Sequence, residues 1–229
     1  MCENEKDFRI IDGVLTKYLG ISKEVVVPES VSVIGEKAFF NNPIIDTIIM
    51  CDNVKEIKEQ AFIGCRELVE IKLSNNIMKI GKGIFSGCEK LEKITIPENI
   101  KIIEKDSFFY CTNLGNVNII DGATVIKEYA FAECVNLKTI EIPKSVKTIE
   151  SNAFFDCKGM KEAKILNNDI EIKDDAFYLC KGIENPKEKE YKNILDHEYL
   201  EPLNFRISCK KGSSAHKYAI ENKIPVQFI

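Results

Sequence analysis

Residues 84–106 read IFSGCEKLEKITIPENIKIIEKD, and this stretch decides the fold. Within it Leu91, Ile94 and Ile96 are separated by polar residues. Their near-alternation predicts a short β-strand that buries one face. Pro97 presets the backbone torsion for a turn, so the strand is expected to end there. The stretch therefore predicts one short strand, a turn and a return path.

The pattern of this stretch recurs every 23 residues along the chain. Phenylalanine recurs at Phe39, Phe62, Phe85, Phe108, Phe131, Phe154 and Phe177. Isoleucine recurs at Ile34, Ile57, Ile80, Ile103, Ile126, Ile149 and Ile172. Cysteine recurs at Cys65, Cys88, Cys111, Cys134, Cys157 and Cys180, with Asn42 at that place in the first unit. Separate amphipathic segments of a globular fold would have no reason to keep this spacing, so the repeat predicts a solenoid.

Stacking of the units supplies the hydrophobic core that one unit lacks. Each strand gains a parallel neighbour about 4.8 Å away, and like residues align into a continuous core. The sequence predicts strands on one face at residues 45–50, 68–73, 91–96, 114–119, 137–142 and 160–165. The Phe-x-x-Cys turns are expected on the facing edge.

The repeat resembles one known family. The motif Leu-x-x-Ile-x-Ile-Pro-x-x-Val-x-x-Ile-x-x-x-Ala-Phe-x-x-Cys is clearest at residues 137–157, LKTIEIPKSVKTIESNAFFDC, and is similar to the BspA-like class of leucine-rich repeats. Residues 12–20 and 212–225 are similar to the terminal caps of that family. The resemblance implies an α/β repeat solenoid, a right-handed superhelix with a parallel sheet on its concave face and turns or short helical segments opposite. It also implies adhesion or protein binding, often at a cell surface, and no catalytic residues.

Four regions are expected from the repeat and its departures. They are an N-terminal cap with a first partial repeat at 1–37, regular repeats at 38–183, an insertion at 184–202 and a C-terminal cap at 203–229. Within the insertion, Tyr191, Ile194, Leu195 and Tyr199 have helical spacing. That spacing fits a helix folded over the open end of the core, or a protruding helix that binds a partner.

The C-terminal cap is expected to fold as a strand, a helix and a strand against the coil around Phe177. Ser213 or Ser214 can cap a helix that runs to about Asn222. Three apolar residues then form a stripe on that helix, namely Ala215, Tyr218 and Ala219.

The repeat cysteines are expected to stack as a ladder of buried, reduced and metal-free thiols. Parallel strands hold neighbouring Cβ atoms about 4.8 Å apart, which exceeds the separation that a disulfide prefers. Buried thiols behave as small hydrophobes, and a ladder without bridges favours a reducing setting. Disulfides or a metal site are the alternative. Cys2, Cys51 and Cys209 fall outside the ladder.

Catalytic chemistry finds little support in the sequence. The histidines are His197 and His216, both beyond the regular repeats. A pair of Cys209 with His216 is conceivable, but no recognisable motif surrounds it. We therefore expect no enzyme activity, no catalytic residues, no cofactor and no metal.

Composition argues against several classes of partner. The formal charge of −4 is small and Lys and Glu are interspersed, so a nucleic-acid partner is not expected. No apolar run approaches the roughly 18 residues of a membrane helix, and the N-terminal residues lack a signal-peptide pattern. The sequence thus predicts a chain that does not insert into membranes. It favours a cytoplasmic location, although the resembled family is often at the cell surface.

The outward strand positions form the predicted binding surface of the concave face. These positions are Thr47, Ile49, Glu70, Lys72, Lys93, Thr95, Asn116, Asn118, Thr139, Glu141, Glu162 and Lys164. None is Trp, Tyr, Phe or Arg, so a protein interface here would be polar and modest in affinity. A monomeric, non-catalytic module that binds a protein partner is the predicted function. The alternative is a structural spacer or scaffold within a larger surface protein, with a merely solvated sheet face.

Overall fold

Parallel strands from successive coils stack into a β-solenoid in the computed structural model, which describes residues 5–180 and 205–229. A short 3₁₀ turn (Glu5–Asp7) leads into a hairpin of β1 (Phe8–Ile11) and β2 (Val14–Tyr18). The long strands are β3 (Glu24–Val26), β5 (Thr47–Ile49), β7 (Glu70–Lys72), β9 (Lys93–Ile96), β11 (Asn116–Ile119), β13 (Thr139–Ile142) and β15 (Glu162–Ile165). The short strands are β4 (Val33–Ile34), β6 (Glu56–Ile57), β8 (Lys79–Ile80), β10 (Ile102–Ile103), β12 (Val125–Ile126), β14 (Thr148–Ile149) and β16 (Glu171–Ile172).

The sheet register follows the sequence period. Glu24 pairs with Thr47, Thr47 with Glu70 and Glu70 with Lys93, each one repeat further along the chain. The long strands form one sheet from β3 to β11, and a second sheet begins at β13. The short strands likewise divide between β8 and β10. The predicted parallel solenoid is confirmed.

The strands start about two residues later than the sequence predicts. In the third repeat, the backbone N–H of Leu91 donates to the Cys88 carbonyl at 3.1 Å. Leu91 is buried but still belongs to a turn, and β9 begins at Lys93. The alternation itself is confirmed, because Ile94 and Ile96 are buried while Lys93 is exposed.

The sequence predicts either turns or short helices after the short strands, and the structure shows turns. Between residues 8 and 180 it has no helix. In the fourth repeat the N–H of Phe109 bonds to the Asp106 carbonyl, and that of Cys111 to the Phe108 carbonyl. Asp106 (φ 58°) and Tyr110 (φ 58°) interrupt this stretch in the left-handed region. A right-handed helix cannot continue through such residues.

A stack of phenylalanine rings runs through the core. Successive rings from Phe39 to Phe177 lie 4.9 to 5.5 Å apart between centroids, within the favourable range for aromatic pairs. Tyr18 extends the stack at one end, 5.4 Å from Phe39. Phe205 extends it at the other, 5.3 Å from Phe177. The stack joins both terminal regions to one core.

Replacing Phe108 by alanine should lower the free energy of unfolding by about 3–5 kcal/mol. Its ring is 1% exposed and lies 5.5 Å from Phe85 and 5.1 Å from Phe131. Lys93→Ala is the control and should cost no more than about 0.5 kcal/mol, because its ion pair with Glu70 is exposed. Equal losses for the two variants in a denaturant titration would contradict the assignment of inward and outward faces.

The N-terminal hairpin covers the first coil. Asp12 (φ 48°) and Gly13 (φ 75°) both adopt left-handed torsions, as a two-residue hairpin turn requires. The ring of Phe8 packs 5.1 Å from that of Tyr18, which in turn packs on the core stack. This antiparallel hairpin thus closes one end of a parallel array.

The C-terminal residues form the predicted strand, helix and strand, namely β17 (Arg206–Cys209), α1 (Ser214–Glu221) and β18 (Val226–Phe228). The Ser213 side chain accepts from the His216 N–H at 3.2 Å and caps α1. Ala215, Tyr218 and Ala219 are buried as predicted. The insertion at 184–202 lies outside the described residues, and the predicted region boundaries stay predictions.

Candidate functional site

The residues predicted for the binding face lie on the outward positions of six long strands. We call this surface the sheet face, and it consists of Thr47, Ile49, Glu70, Lys72, Lys93, Thr95, Asn116, Asn118, Thr139, Glu141, Glu162 and Lys164. Each is exposed or half-buried, and the strand residues between them are buried. The strand register aligns them in two rows across the coils. Their placement is as predicted, and their role in binding stays a prediction.

Opposite charges on the sheet face pair between neighbouring strands. Lys93 lies 3.0 Å from Glu70, and Lys164 lies 2.7 Å from Glu141. Glu162 accepts hydrogen bonds from Ser208 and from Arg206, which keep the pKa of its carboxyl below the ordinary value. These exposed pairs stabilise the fold little. They do leave part of the face electrically neutral.

The middle of the sheet face carries uncharged polar side chains. Asn118 stands beside Thr95 in the register, and Asn116 beside Lys93. Thr139 occupies the same outward position on the next strand. Within the described residues the side chains of Thr95, Asn116, Asn118 and Thr139 make no hydrogen bond. The break between the two long-strand sheets falls beside them, between β11 and β13. We call these four residues the polar centre.

The turns present a second surface, which the sequence prediction missed. We call it the turn face. One row of positions holds Phe40, Ile63, Ser86, Phe109, Ala132, Phe155 and Tyr178, and a second row holds Lys37, Gln60, Gly83, Asp106, Tyr129, Asn152 and Asp175; all are exposed or half-buried except Ala132 and Gly83, which are buried. Phe40 is 51% exposed, and Tyr110 next to the first row is 42% exposed. Both rows recur every 23 residues, so this surface could have been predicted from the sequence.

A groove of about 700 Å³ crosses the turn face between the second and fifth coils. Its floor lies at Gly83 and Ser86, where the third coil has small residues. Ile63 bounds it on one side and Phe109 and Tyr129 on the other. The groove exists because the third coil lacks the large side chains that its neighbours present at the same positions.

Charged residues line the rim of this groove. The Lys105 ammonium lies 2.6 Å from the Glu128 carboxylate and 5.4 Å from the centroid of the Tyr129 ring. Burial raises the pKa of the Asp106 carboxyl, while nearby Lys105 and Lys82 oppose that rise. Glu59 and Lys82 are exposed and have no ion pair among the described residues.

The cysteine ladder is buried as predicted, and its thiols have a structural task. Each thiol donates to the carbonyl of a core phenylalanine in the preceding coil. The Sγ–O distances are 3.0 Å from Cys65 to Phe39, and 3.1 Å from Cys111 to Phe85. Burial raises the pKa of Cys65 to about 12. Such thiols are poor nucleophiles and poor metal ligands at neutral pH. The absence of bridges stays a prediction, which mass spectrometry of the unreduced protein checks.

The conceivable pair of Cys209 with His216 has other partners in the structure. Nδ1 of His216 accepts from the Gly212 N–H at 3.0 Å, and its ring lies edge-on to Phe228 at 5.1 Å. Burial raises the pKa of the Cys209 thiol, and a hydrogen bond with Ser213 opposes that rise. Across the described residues no cluster of His, Cys, Asp and Glu is arranged to hold a metal ion. Cys2 and His197 lie outside those residues.

Short parallel strands, repeated coils and an asparagine or cysteine at each turn define a leucine-rich repeat solenoid. The sequence model of the BspA type leucine rich repeat region matches this chain over residues 17–134 and 79–199, in six copies. The chain belongs to this family, as its repeat motif predicts.

Solved structures of bacterial repeat proteins share the fold. A leucine-rich repeat protein from Eubacterium ventriosum superposes with a TM-score of 0.70 at 22% identity, over 82% of this chain and 50% of that one. The pneumococcal vaccine antigen PcpA superposes with a TM-score of 0.50 at 14% identity, over 99% of this chain and 49% of that one. This chain thus spans half the length of the E. ventriosum protein. Comparison with curated sequences gives no match.

The helix α1 is too short and too polar to cross a bilayer, and no other described segment qualifies as a membrane-spanning helix.

Proposed function

We propose that this chain is a non-catalytic module that recognises a protein partner through its sheet face. The polar centre carries the proposal. Asn116, Asn118, Thr95 and Thr139 expose amide and hydroxyl groups that make no hydrogen bond among the described residues. Rigid strands hold these groups, so little conformational entropy is lost when they bind. An adhesive role at a cell surface is the finer form of the proposal, and the family resemblance supports it.

The pairing of charges around the polar centre supports a polar interface. Lys93 pairs with Glu70 and Lys164 with Glu141, so a partner meets neutral pairs there. Hydrogen bonds from a partner would then supply specificity, since a polar group that is buried without a partner costs about 1–3 kcal/mol. With no aromatic side chain on the sheet face, affinity is expected to be modest.

The test replaces the four residues of the polar centre by alanine and compares capture of partners with the wild-type chain. Proteins captured from an extract of the source cells are quantified by mass spectrometry. The captured amount of at least one partner should fall by about tenfold, which is the effect of losing about 1.4 kcal/mol of binding free energy. The control replaces Lys55, Lys101 and Lys147 by alanine, which are exposed outside the sheet face, and should capture that partner normally.

A structural spacer is the second candidate function. The specific observation in its favour is that the sheet face carries no Trp, Tyr, Phe or Arg, the residues that supply most of the binding energy at protein interfaces. Equal capture by the wild-type chain and the polar-centre variant would count against recognition through this face and favour the spacer.

A further inference from the structure

We infer that the open edge of β3 binds one extended segment of a protein partner, which adds to the long-strand sheet as a further strand. The segment is expected to carry a basic residue opposite Glu24 and an apolar residue opposite Val26, two positions apart. This edge is separate from the polar centre, and the inference goes beyond the proposed function. It rests on the backbone groups of β3, on the side chains beside them and on the step formed by the N-terminal hairpin.

The backbone of β3 has hydrogen-bonding groups without a neighbouring strand. β3 is the last strand of its sheet, and among the described residues it pairs only with β5. The Lys23 carbonyl accepts from that side at 3.1 Å, and the Val27 N–H donates to it at 2.9 Å. Alternate residues of a strand direct their backbone groups to opposite sides, so those of Glu24 and Val26 point away from β5. Within the part of the chain that the structure describes, the backbone groups of these two residues make no hydrogen bond. Donors and acceptors at this spacing match the backbone of another extended chain.

The N-terminal hairpin forms a step beside this edge. β4 belongs to the same coil as β3, and β2 and β1 extend the short-strand sheet two strands beyond β4. At about 4.8 Å per strand, the hairpin therefore stands about 10 Å above β3 on the other side of the coil. A single extended segment fits into this step, along β3 and beside the hairpin.

The same step prevents a second copy of the chain from continuing the solenoid across β3. If two β3 strands paired with their coils in line, the short-strand side of each copy would occupy the space of the other copy's hairpin. At the C-terminal end, α1 packs on β16 and lies beside β17 and β18. That end would also meet the hairpin before β18 reached β3. The geometry therefore favours an isolated strand over a second solenoid.

Apolar side chains stand beside the open edge. Val26 points outward, is 44% exposed and lies next to half-buried Ile49 in the register. Ile21, in the segment that leads into β3, is 81% exposed, and Leu19 in the same segment is also exposed. Directly opposite side chains on one face of a sheet pack on each other. An apolar residue of the added strand would therefore contact Val26 and continue the row that Ile49 begins.

Glu24 gives the segment its expected charge. At the start of β3, Lys23 lies beside an acidic residue, Asp46, whose N–H donates to the Lys23 carbonyl at 2.9 Å. The Glu24 carboxylate is exposed and has no ion pair among the described residues. Two and three coils further along, the same outward position holds Glu70 and Lys93, which pair across neighbouring strands at 3.0 Å. A Lys or Arg opposite Glu24 would repeat that pair.

Substitutions can alter the open edge without disturbing the pairing with β5. Val26→Pro removes one donor of this edge, and proline is tolerated on edge strands where the missing N–H would face solvent. Val26→Ile keeps both the donor and the apolar side chain and is the matched control. Glu24→Lys reverses the charge beside the edge. Its control is Glu98→Lys, an exposed reversal in the turn after β9.

The experiment selects nine-residue peptides from a random phage-displayed library on the full chain, with each variant first shown to melt as the wild type does. Selected peptides should share a Lys or Arg two positions from an apolar residue. The affinity of one such synthetic peptide should fall at least about tenfold in Val26→Pro and in Glu24→Lys, the effect of one lost hydrogen bond or ion pair. Val26→Ile and Glu98→Lys should bind as the wild type does. The alanine variant of the polar centre should also bind normally, which separates this inference from the proposed function.

Two further measurements identify the bound state. Glu24→Lys should regain affinity for a peptide in which the basic residue is replaced by Glu. In NMR hydrogen exchange, the amide protons of Glu24 and Val26 should become protected when the peptide binds. The amide proton of Val25, which already faces β5, should change little.

Three results would overturn the inference. One is a selection that enriches no common peptide. The second is a set of peptides that bind Val26→Pro as tightly as the wild-type chain, or that no longer bind the alanine variant of the polar centre. The third is self-association of the chain in sedimentation that Val26→Pro abolishes, because a second copy would then occupy the edge.

Discussion

Raising the pH from 8 to 10 should lower the free energy of unfolding by about 7 kcal/mol through the cysteine ladder. Burial raises the pKa of five ladder thiols above the ordinary value of 9.0, namely Cys65, Cys88, Cys111, Cys134 and Cys180. In the unfolded chain these thiols regain ordinary values and ionise above pH 9. Each then contributes about 1.4 kcal/mol of lost stability by pH 10.

The sign follows from proton binding in the two states. Between the ordinary pKa near 9.0 and the folded value of about 12 for Cys65, the folded chain keeps a proton that the unfolded chain releases. The unfolded state is therefore favoured as pH rises, and the free energy of unfolding falls. The stabilising contribution is complete below pH 9 and is lost through this window. The free energy of unfolding of a domain is about 5–15 kcal/mol. A loss of this size is therefore expected to leave the chain close to its unfolding transition at pH 10.

Denaturant titrations at pH 8, 9 and 10, with a reductant present, measure this loss. Cys111→Ser is the matched control, because a hydroxyl can donate to the Phe85 carbonyl, as the thiol does at 3.1 Å, but does not ionise in this range. The variant should lose about 1.4 kcal/mol less than the wild type between pH 8 and pH 10. A stability independent of pH, or a pH dependence unchanged by Cys111→Ser, would show that the ladder thiols ionise as readily when folded.

The period of the sequence predicts every feature that depends on one residue stacking on its copy. The phenylalanine stack, the buried cysteines and the outward strand positions are all of this kind. The ion pair of Lys93 with Glu70 could also be predicted, because these residues are one period apart. The thiol–carbonyl bonds could not. They need the tight turn made by left-handed residues such as Asp106 and Tyr110. Gly83 and Gly87 hold these positions one coil earlier and do signal the torsion, but a glycine does not indicate which carbonyl a nearby thiol will meet.

The groove was missed for a different physical reason. Its floor depends on the height of Gly83 and Ser86 relative to Ile63 and Phe109 in other coils. A repeat motif records which residues are shared by the coils, whereas a groove arises where one coil departs from its neighbours. The rows of the turn face recur every 23 residues, as the core positions do, and could have been predicted from the sequence. The predicted binding surface was instead the sheet, because solenoids usually bind partners on their concave face.

Truncation after residue 183 should make the chain dimerise or aggregate through its open end. The C-terminal strand, helix and strand cover the last coil of the core. The ring of Phe177 lies 5.3 Å from that of Phe205 and 6.3 Å from that of Tyr218. β17 also continues the long-strand sheet by pairing with β15. Without the C-terminal strand, helix and strand, the end of the ring stack is exposed to solvent. Repeat proteins need terminal caps for solubility.

The expected loss in free energy of unfolding is large because the truncation removes several buried side chains at once. Phe205, Ile207 and Tyr218 are at most 8% exposed, and each contributes about 1.5–3 kcal/mol on burial. A loss of about 5 kcal/mol corresponds to a fall of about 10–20 °C in Tm for a chain of this size. Differential scanning fluorimetry and analytical ultracentrifugation measure the two effects.

The register of the cap supplies a matched control for this truncation. Arg206 pairs with Glu162, which lies 44 residues earlier, whereas one repeat is 23 residues, the spacing of Lys79 from Glu56. Deleting residues 184–204 therefore restores the regular spacing between β15 and β17 and retains the cap. This deletion variant should match the full chain in solubility and sedimentation, while the chain ending at residue 183 should not. If the truncated chain stays monomeric with an unchanged Tm, residues 205–229 do not act as a lid and become the leading candidate for an arm that binds a partner.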